Sequence, residues 1–369
     1  MSKNIVVLFD GTGQEGGEGF NTNIYKLFNM LEDRTERQVV FYDPGLGTNW
    51  RKITGNAFGM GISENIQQCY RFIFDNYEAG DKIYLFGFSR GAATVRSLSG
   101  FIHHFGILPQ SRPELIRKAF KIYKSLSSDE KIPEDVRNKP KPAKDFVDNH
   151  HTMWVNIEFM GCFDTVAALG MSQFPAIDKF IDTIPLFKHK FHNFCLSGSV
   201  IRAYHALAID DERKTFHPIL WTGQDENKKN VGQRATQVWF CGMHTDVGGG
   251  YKEQELSNIP LVWMLEKATK YGLRLYIPNC PMTITEDANG FMHNSREGGL
   301  KHLYIQKTRE WYGEGIPWIH QSVLDRANNP DNNYHPWILE QYKAGKYSEE
   351  PWTRYEKVME KLPHFVTRT

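Results

Sequence analysis

Short apolar runs and amphipathic stretches alternate through the first hundred residues of the chain. Three runs are almost continuously apolar, as strands buried on both faces of a parallel sheet are: 4–9, 38–42 and 82–88. Each run is followed by apolar residues at helical spacing: 23–33, 63–77 and 91–105. This alternation predicts an α/β fold with a doubly wound, mostly parallel sheet.

The pattern is less regular in the rest of the chain. Further strands are predicted at 154–162 and 236–243, and an amphipathic helix at 258–272. A second helix is predicted at 199–213, which would place His205 on it. The last 90 or so residues are rich in aromatic side chains and are expected to form mainly loops.

Two stretches interrupt the alternation of strands and helices. Residues 107–152 are rich in proline and lysine, which predicts a polar, lid-like helical insertion. Residues 170–200 are apolar and aromatic without a clear period, and we interpret them as a second cap region. We expect the whole chain, 1–369, to form one α/β domain that carries both insertions.

Composition and charge exclude several classes of protein. The 44 Lys and Arg residues balance the 43 Asp and Glu residues, so the net charge of +1 gives no reason to expect a nucleic-acid partner. Five scattered cysteines without a CxxC spacing argue against a disulfide framework or a structural zinc site. The start of the chain has no signal-peptide core and no apolar run reaches membrane-spanning length. We therefore expect a cytoplasmic protein, with export that needs no signal peptide as the remaining possibility.

The strongest local signal for chemistry is the G-x-S-x-G string formed by Gly87, Ser89 and Gly91. An apolar strand precedes the string and a helical pattern follows it at once, which is the context of a nucleophile elbow. The turn must be sharp enough to expose the serine oxygen, so the residues two before and two after it crowd each other and need to be glycine. We interpret Ser89 as the nucleophile.

A serine hydroxyl needs a base and an orienting carboxylate to attack at neutral pH. Asp164 follows the strand at 154–162, and His244 follows the strand at 236–243. Because the carboxyl ends of parallel strands share one rim of the sheet, we expect both side chains beside Ser89. The order serine, aspartate, histidine is also that of α/β hydrolases. The sequence therefore predicts a Ser-His-Asp triad.

Other groups complete or compete with this assignment. His320, in the string WIHQSVLDR, is the alternative base. The oxyanion hole needs backbone N–H groups, one from Arg90 after the nucleophile and one from the loop formed by Gly11 and Thr12.

Two alternative hypotheses, a dinucleotide-binding loop and a hydrolytic metal site, are less well supported than the triad. Gly11 to Gly16 match the dinucleotide fingerprint G-x-G-x-x-G, but the helical pattern resumes too late for that motif. His244, Asp246 and Asp164 are possible ligands of a hydrolytic metal, but such a site would leave the exposed serine without a purpose. We therefore expect no cofactor and no metal, and we expect Asp246 to orient another group or to close the glycine-rich turn after it.

Several ordered strings are similar to a known family. VVLFDGTG, NTNI, DPGLGT, GFSRGA, FDTV, HALAIDDER, CGMHTDVGGGY and IHQSVLDR resemble a bacterial and fungal family of α/β hydrolases that includes the catalytic domains of first-class type VI secretion phospholipase effectors. The resemblance runs from about residue 3 to 340. It implies a nucleophile at Ser89 in GFSRGA, an acid at Asp164 in FDTV and a base at His244 in HTDVGGGY. It also implies hydrolysis of carboxylic esters, which in the effectors are phospholipid acyl esters.

Together these features predict a serine esterase or lipase of phospholipase type that works through an acyl-enzyme. The expected partner is an ester or lipid substrate. The aromatic residues around 154–194 and 304–337 are expected to pack in the core and at the rim of the sheet, and the alternative is that they form an acyl-chain pocket or a face that contacts a membrane surface. The alternative is a non-catalytic or signalling protein that binds a partner on a hydrolase scaffold. The sequence leaves the oligomeric state open.

Overall fold

The computed structural model describes most of the chain. The described residues are 2–11, 17, 19–45, 55–126, 140–166, 196–221, 234–276, 284–297, 305–313, 315–342 and 346–362. Every statement about structure below concerns these ranges.

One sheet organises the described part of the chain. Its strands are β1 (Asn4–Phe9), β2 (Gln38–Asp43), β3 (Lys82–Phe88), β4 (Ile157–Phe163), β5 (Arg202–Ala208), β6 (Arg234–Phe240), β7 (Trp318–His320) and β8 (Ser348–Glu350). Their spatial order is β2-β1-β3-β4-β5-β6-β7-β8 and all neighbours are parallel, which confirms the predicted parallel α/β sheet. The order reverses between β1 and β3, and open α/β sheets bind ligands outside the carboxyl ends of strands at such a reversal.

Helices connect the strands along the chain. They are α1 (Asn23–Met30), α2 (Gly55–Asn76), α3 (Arg90–Phe105), α4 (Leu115–Ser125), α5 (Lys141–His150), α6 (His244–Gly248), α7 (Glu255–Lys270), α8 (Gln321–Asn328), α9 (Trp337–Gln341) and α10 (Tyr355–Glu360). Among these described helices, none combines the length and the apolar character that crossing a bilayer requires.

The sheet is covered on both faces, as its apolar strands require. Val6 and Leu8 of β1 belong to a core cluster shared with α1 and α7. Ile5, Val7 and Phe9 alternate with them and belong to a second cluster shared with α2 and α3. All six residues of β1 are buried, which explains why this strand is continuously apolar instead of alternating with polar residues.

The prediction of a helix at 199–213 is wrong, because this segment contains β5. His205 therefore lies on a strand in the middle of the sheet and is fully buried. Three of the seven residues of β5 are alanines, and alanine favours a helix in isolation. Pairing with β4 on one side and β6 on the other outweighs that local preference.

The last part of the chain is more regular than its sequence predicts. Two three-residue strands, β7 and β8, extend the sheet in parallel register beyond β6. Strands this short carry too few residues to show an alternation of apolar and polar positions.

The proposed insertion at 107–152 is described except for 127–139. Its helices α4 and α5 pack against α3 and bury Phe120 and Phe146 in the same cluster as α2 and α3. Their apolar faces thus join the flank of the sheet. The lid-like role of 107–152 stays a prediction, and the cap region at 170–200 lies outside the described residues except for 196–200.

Candidate active site

Ser89 lies at the sharp turn between β3 and α3. Its backbone adopts φ 58° and ψ −123°, in the left-handed half of conformational space, where a non-glycine residue costs on the order of 1–3 kcal/mol. Two backbone hydrogen bonds hold the turn: the Ser89 N–H donates to the Phe163 carbonyl at 3.0 Å, and the Ala93 N–H donates to the Ser89 carbonyl at 3.3 Å. The serine side chain thereby projects from the end of β3 towards α6.

Gly87 and Gly91 permit this turn because backbone atoms approach them closely. A Cβ atom on Gly87 would lie 2.6 Å from the backbone nitrogen of Ala92 and from the carbonyl oxygen of Gly91. A Cβ atom on Gly91 would lie 2.2 Å from the carbonyl oxygen of Phe9. Gly87 is thus crowded by the start of α3, as expected, whereas the nearest atoms to Gly91 belong to the end of β1.

His244 is the first residue of α6, and it contacts Ser89 directly. Its Nε2 atom lies 2.8 Å from the Ser89 Oγ. The imidazole ring is only slightly exposed, since the ring of Phe88 packs on it at 4.7 Å and the ring of Phe216 meets it edge-on at 5.2 Å. These aromatic neighbours exclude water from the side of the imidazole and limit its rotation.

Asp164 is bonded to the other nitrogen of the same imidazole. The His244 Nδ1 lies 2.6 Å from the Asp164 Oδ2. Asp164 directly follows β4 and has φ 38°, and its N–H donates to the Ala206 carbonyl at 2.8 Å. The structure therefore places the three residues singled out in the sequence in one hydrogen-bonded chain from hydroxyl to imidazole to carboxylate.

Arg309 is the site residue that sequence reasoning missed. Its guanidinium donates to both oxygens of Asp164, from Nη1 to Oδ1 at 2.7 Å and from Nη2 to Oδ2 at 2.8 Å. Asp164 also accepts the Ala208 N–H at 3.0 Å. No motif marks Arg309, which is one of many basic residues in a region without clear periodicity.

The surroundings of Asp164 keep it ionised. Complete burial alone would raise the pKa of this carboxyl group, because it removes the charge from water. The Arg309 guanidinium and the His244 hydrogen bond outweigh burial and hold the pKa of Asp164 well below its ordinary value. The carboxylate is thus a permanent acceptor for the His244 Nδ1–H, which leaves Nε2 free to accept a proton.

The expected oxyanion groups are only partly described. Arg90 is the first residue of α3, so its N–H belongs to the positive end of that helix, beside Ser89. The Gly11 N–H donates to the carboxylate of Asp10 at 2.7 Å, so in this structure it is paired within the loop. Thr12 lies outside the described residues.

Asp10 anchors the loop that contains Gly11. Its carboxylate accepts the hydroxyl of Thr22 at 2.6 Å and that of Tyr42 at 2.9 Å, in addition to the Gly11 N–H. Burial raises the pKa of Asp10 to about 6, and these three hydrogen bonds act in the opposite direction. Asp10 therefore acts as a buried acceptor that ties β1, β2 and α1 together under the loop.

The other candidates lie elsewhere. His320, the alternative base, is fully buried at the start of α8, where its Nδ1 lies 2.9 Å from the Ser322 Oγ and its ring stacks on Phe240 at 4.6 Å. Burial lowers the pKa of His320 to about 3. Among the described residues, the hydrogen bonds of His320 do not reach Ser89 or Asp164.

Asp246 does not share a hydrogen bond with Asp164 or with the imidazole of His244, the two groups with which it would have to bind a metal. Its carboxylate accepts the His293 Nδ1–H at 2.6 Å and the Met243 N–H at 3.1 Å. It thus orients another histidine, which was one of the two roles expected for it. Within the described ranges, no cluster of three or more His, Cys, Asp or Glu side chains has the geometry to hold a metal ion.

The chain is similar to several known proteins. A family model described as the catalytic domain of Tle1-like phospholipase effectors of the type VI secretion system matches residues 3–267. An uncharacterised protein of Saccharomyces cerevisiae is 28% identical over 241 residues, which are 60% of this chain and 33% of the yeast protein. The chain thus spans about a third of that relative.

Two solved structures are more distantly similar. One is an uncharacterised protein from Pseudomonas aeruginosa, with 17% identity and a TM-score of 0.46 over 77% of this chain and 48% of that one. The other is the Tle1 effector bound to the VgrG spike of the type 6 secretion system, with 20% identity and a TM-score of 0.37 over 68% of this chain and 52% of that one.

Proposed function

The chain belongs to the family of Tle1-like catalytic domains of type VI secretion phospholipase effectors, and on that premise we propose that it hydrolyses acyl esters of lipids with Ser89 as the nucleophile. The observation that carries the proposal is the hydrogen-bonded chain from Ser89 through His244 to Asp164. A hydroxyl, an imidazole and a buried carboxylate in this order are the working parts of a serine hydrolase. Both contacts are of hydrogen-bond length.

The proposed reaction has two halves. In the first, the Ser89 Oγ attacks the ester carbonyl while its proton passes to the His244 Nε2. The ester C–O bond then breaks, and the alcohol leaves with that proton. In the second, water attacks the acyl-serine while His244 takes a proton from the water. The bond between the acyl carbon and the Ser89 Oγ then breaks, His244 returns the proton to Ser89, and the fatty acid is released. Asp164 keeps the Nδ1–H bonded throughout and stabilises the imidazolium.

The developing oxyanion needs two donors, and we assign them to Arg90 and Thr12. The Arg90 N–H is suited to this role because it begins α3, where the helix dipole favours negative charge. In the first-strand loop we favour Thr12 over Gly11, because the Gly11 N–H is occupied by Asp10. Loss of one such donor typically reduces turnover by about 10²–10³-fold.

A lipid substrate would bring the protein to a membrane surface or a micelle. The exposed rings of Phe20 and Phe291 support such contact, since 51% and 62% of their surfaces are accessible. Thr22, two residues after Phe20, bridges to Gly249 at the end of α6. Phe291 meets the ring of His293, which bonds to Asp246 of α6. Both rings therefore flank the helix that carries His244. With a net charge of +1, binding to lipid would depend on apolar contact more than on a basic patch.

The decisive experiment compares the wild-type protein with Ser89→Ala on a panel of p-nitrophenyl esters and phospholipid vesicles. We expect Ser89→Ala to reduce turnover by about 10⁶-fold with its melting temperature nearly unchanged, because the members of a triad act as a unit. A fluorophosphonate probe should label Ser89 in the wild-type protein and leave the variant unlabelled.

Ser322→Ala is a matched control, since Ser322 also contacts a histidine nitrogen but lies outside the proposed triad. It should keep wild-type turnover. If the wild-type protein hydrolyses nothing on the panel and the probe does not label Ser89, the hydrolase proposal fails and the partner-binding alternative takes its place.

A further inference from the structure

Arg309 connects the proposed active site to a part of the chain beyond the family match. The matched residues end at 267, whereas Arg309 lies in the described segment 305–313. Its side chain is completely buried. Besides Asp164, it donates to the Ala208 carbonyl at 2.5 Å and to the Phe216 carbonyl at 2.6 Å.

We propose that Arg309 is a positioning residue of the hydrolase, which clamps the Asp164 carboxylate so that His244 points its Nε2 at Ser89. The proposal rests on the proposed function, because it assigns to Arg309 the orientation of that same proton-transfer chain. It also makes the segment after residue 267 a required part of the site.

The two hydrogen bonds from Arg309 fix the plane of the Asp164 carboxylate as well as its distance from the guanidinium. A guanidinium that donates through two nitrogens to two carboxylate oxygens holds the carboxylate in one orientation, which a single hydrogen bond cannot do. The Asp164 Oδ2 held by Arg309 is the same atom that meets the His244 Nδ1. The direction of the imidazole therefore depends on the plane that Arg309 sets.

The guanidinium is itself held by the surrounding backbone. Ala208 ends β5, and Phe216 belongs to a short 3-10 turn at Lys214–Phe216. The ring of Phe216 also packs on the imidazole of His244. The Arg309 side chain thus links the ends of β4 and β5 to the turn that packs on His244. A displacement of any of these elements would change the position of the His244 imidazole.

The charges around Asp164 give Arg309 a second effect. His244 faces the carboxylate from α6, and His205 faces it from β5. Burial lowers the pKa of His205 to about 3, with the Arg96 cation acting in the same direction, so His205 is neutral at pH 7. Asp211 also lies near Arg309, and its carboxylate accepts the backbone N–H of His244 at 3.2 Å.

Asp211 is already paired with its own cation. Arg213 donates to both of its carboxylate oxygens, at 2.9 and 2.5 Å. Arg309 is therefore the cation that compensates Asp164 by direct contact among the described residues. Removing it would raise the pKa of Asp164, since burial would then be opposed mainly by His244 and the Ala208 N–H.

The test uses the full chain with Arg309→Gln and Arg309→Lys, and with Arg326→Gln and Arg326→Lys as controls. Arg326 is also a buried arginine of the C-terminal region, and it donates to the Ala288 and Gly290 carbonyls without touching the proposed triad. The measurements are kcat, KM and the rate of fluorophosphonate labelling of Ser89 between pH 5 and 9, and the low-field proton resonance of the His244–Asp164 hydrogen bond.

We expect Arg309→Gln to lower kcat by about 10²-fold, which is the scale of a 1 Å misplacement of a catalytic group, with a small change in KM. The acidic limb of its pH profile should move to higher pH. Arg309→Lys retains the charge without the two-pronged contact, so it should lose less kcat and keep the acidic limb of the wild type. Both Arg326 variants should keep the wild-type profile.

Two results would overturn the proposal. One is a folded Arg309→Gln protein with wild-type kcat, pH profile and low-field resonance. The other is an equal loss of kcat in the Arg309 and Arg326 variants without a shift of the acidic limb, which would make Arg309 a structural residue only. If Arg309→Gln does not fold, Arg309→Lys decides, because wild-type kcat and resonance in that variant would also contradict the clamp.

The two proposals fail separately. Absence of Ser89 labelling in the wild-type protein contradicts the hydrolase, whatever Arg309 does. The resonance reports the His244–Asp164 contact in the absence of turnover, so it tests the clamp even in that case.

Discussion

Two histidine–carboxylate pairs each include one residue of the five-residue helix α6. The hydrogen-bond distance is the same in both pairs, but their burial, their other partners and the pKa shifts of their carboxylates differ. In the first pair, His244 of α6 meets Asp164; in the second, Asp246 of α6 meets His293. The distance from Nδ1 to the carboxylate oxygen is 2.6 Å in both. By this distance alone, either pair could belong to a catalytic site.

The differences lie at the other ends of the two pairs. The remaining nitrogen of His244 meets the hydroxyl of Ser89 at 2.8 Å, whereas that of His293 is 3.5 Å from the carboxylate of Glu253. The first imidazole is buried between Phe88 and Phe216, and the second is stacked on Tyr251 and partly exposed.

The two carboxylates also have opposite electrostatics. Arg309 holds the pKa of Asp164 below its ordinary value against the effect of burial. Among the described residues, no arginine is hydrogen-bonded to Asp246, and burial raises the pKa of this carboxyl group. A histidine–carboxylate contact can serve proton transfer to a nucleophile only when a nucleophile lies at the other nitrogen of the imidazole, and of the two pairs only the one with His244 has a serine hydroxyl there.

The second pair has a structural role that fits its partners. The Asp246 carboxylate accepts the Met243 N–H, which caps the start of α6, and it also accepts the backbone N–H of His293. It thus fastens the helix that carries His244 to the segment that carries His293.

Replacing the histidines gives the largest expected contrast. We expect His244→Ala to lower kcat by about 10⁶-fold, as loss of a triad histidine does, because Ser89 then has no base. His293→Ala should cause only a modest loss, through loosening of α6. Ester hydrolysis by the purified variants measures both effects.

His320→Ala extends this comparison to the alternative base. Its ring is buried against Phe240, and its Nδ1 contacts Ser322, so we expect turnover close to that of the wild type in the protein that remains folded. An inactive but folded His320→Ala protein beside an active His244→Ala protein would reverse the assignment of the base.

Replacing the acids gives the next contrast. Asp164→Asn should lower kcat by about 10⁴-fold, because an amide favours the wrong tautomer of His244. Asp246→Asn can keep both backbone hydrogen bonds through its remaining oxygen, so its kcat should fall far less. Equal losses in the two variants would mean that the pairs are not functionally distinct. Melting curves recorded on the same samples separate loss of fold from loss of chemistry.

Part of this architecture could be predicted from the sequence because it is encoded locally. The turn at Ser89 needs a strand, two glycines and a helix in direct succession, and all of these are visible in a short window. Asp164 and His244 were assigned to the same rim by one rule, that parallel strands end on the same side. The structure places both within hydrogen-bond distance of their neighbours in the chain.

Other parts depend on contacts between distant segments and escaped prediction. β5 has the alanine content of a helix and becomes a strand only because β4 and β6 bind it on either side. Arg309 is 145 residues from Asp164 along the chain, and no spacing rule connects them. The partner of Asp246, His293, was likewise not identified, since it lies in a segment without helical or strand pattern.

The smallest expected effect is a change in how stability depends on pH when Asp246 is replaced. Asp164, with its pKa held below the ordinary value of 3.8, is ionised in the folded and the unfolded chain between pH 5 and 7. The carboxyl group of Asp164 therefore binds no additional proton on folding in this range and itself adds nothing to the pH dependence of stability. Asp246 has a raised pKa in the folded state, so ionisation costs stability at pH 7, and that cost declines as the pH falls towards the folded-state value.

The free energy of unfolding of Asp246→Asn should thus decrease relative to that of the wild-type protein as the pH falls from 7 to 5. The limit is about 1.4 kcal/mol per pH unit for a full proton bound only by the folded state, and partial titration gives a smaller slope. Urea unfolding of the two proteins at pH 5, 6 and 7 measures the slopes. A flat line for Asp246→Asn relative to the wild-type protein would show that burial does not raise the pKa of Asp246, and the electrostatic contrast between the two carboxylates would then fail.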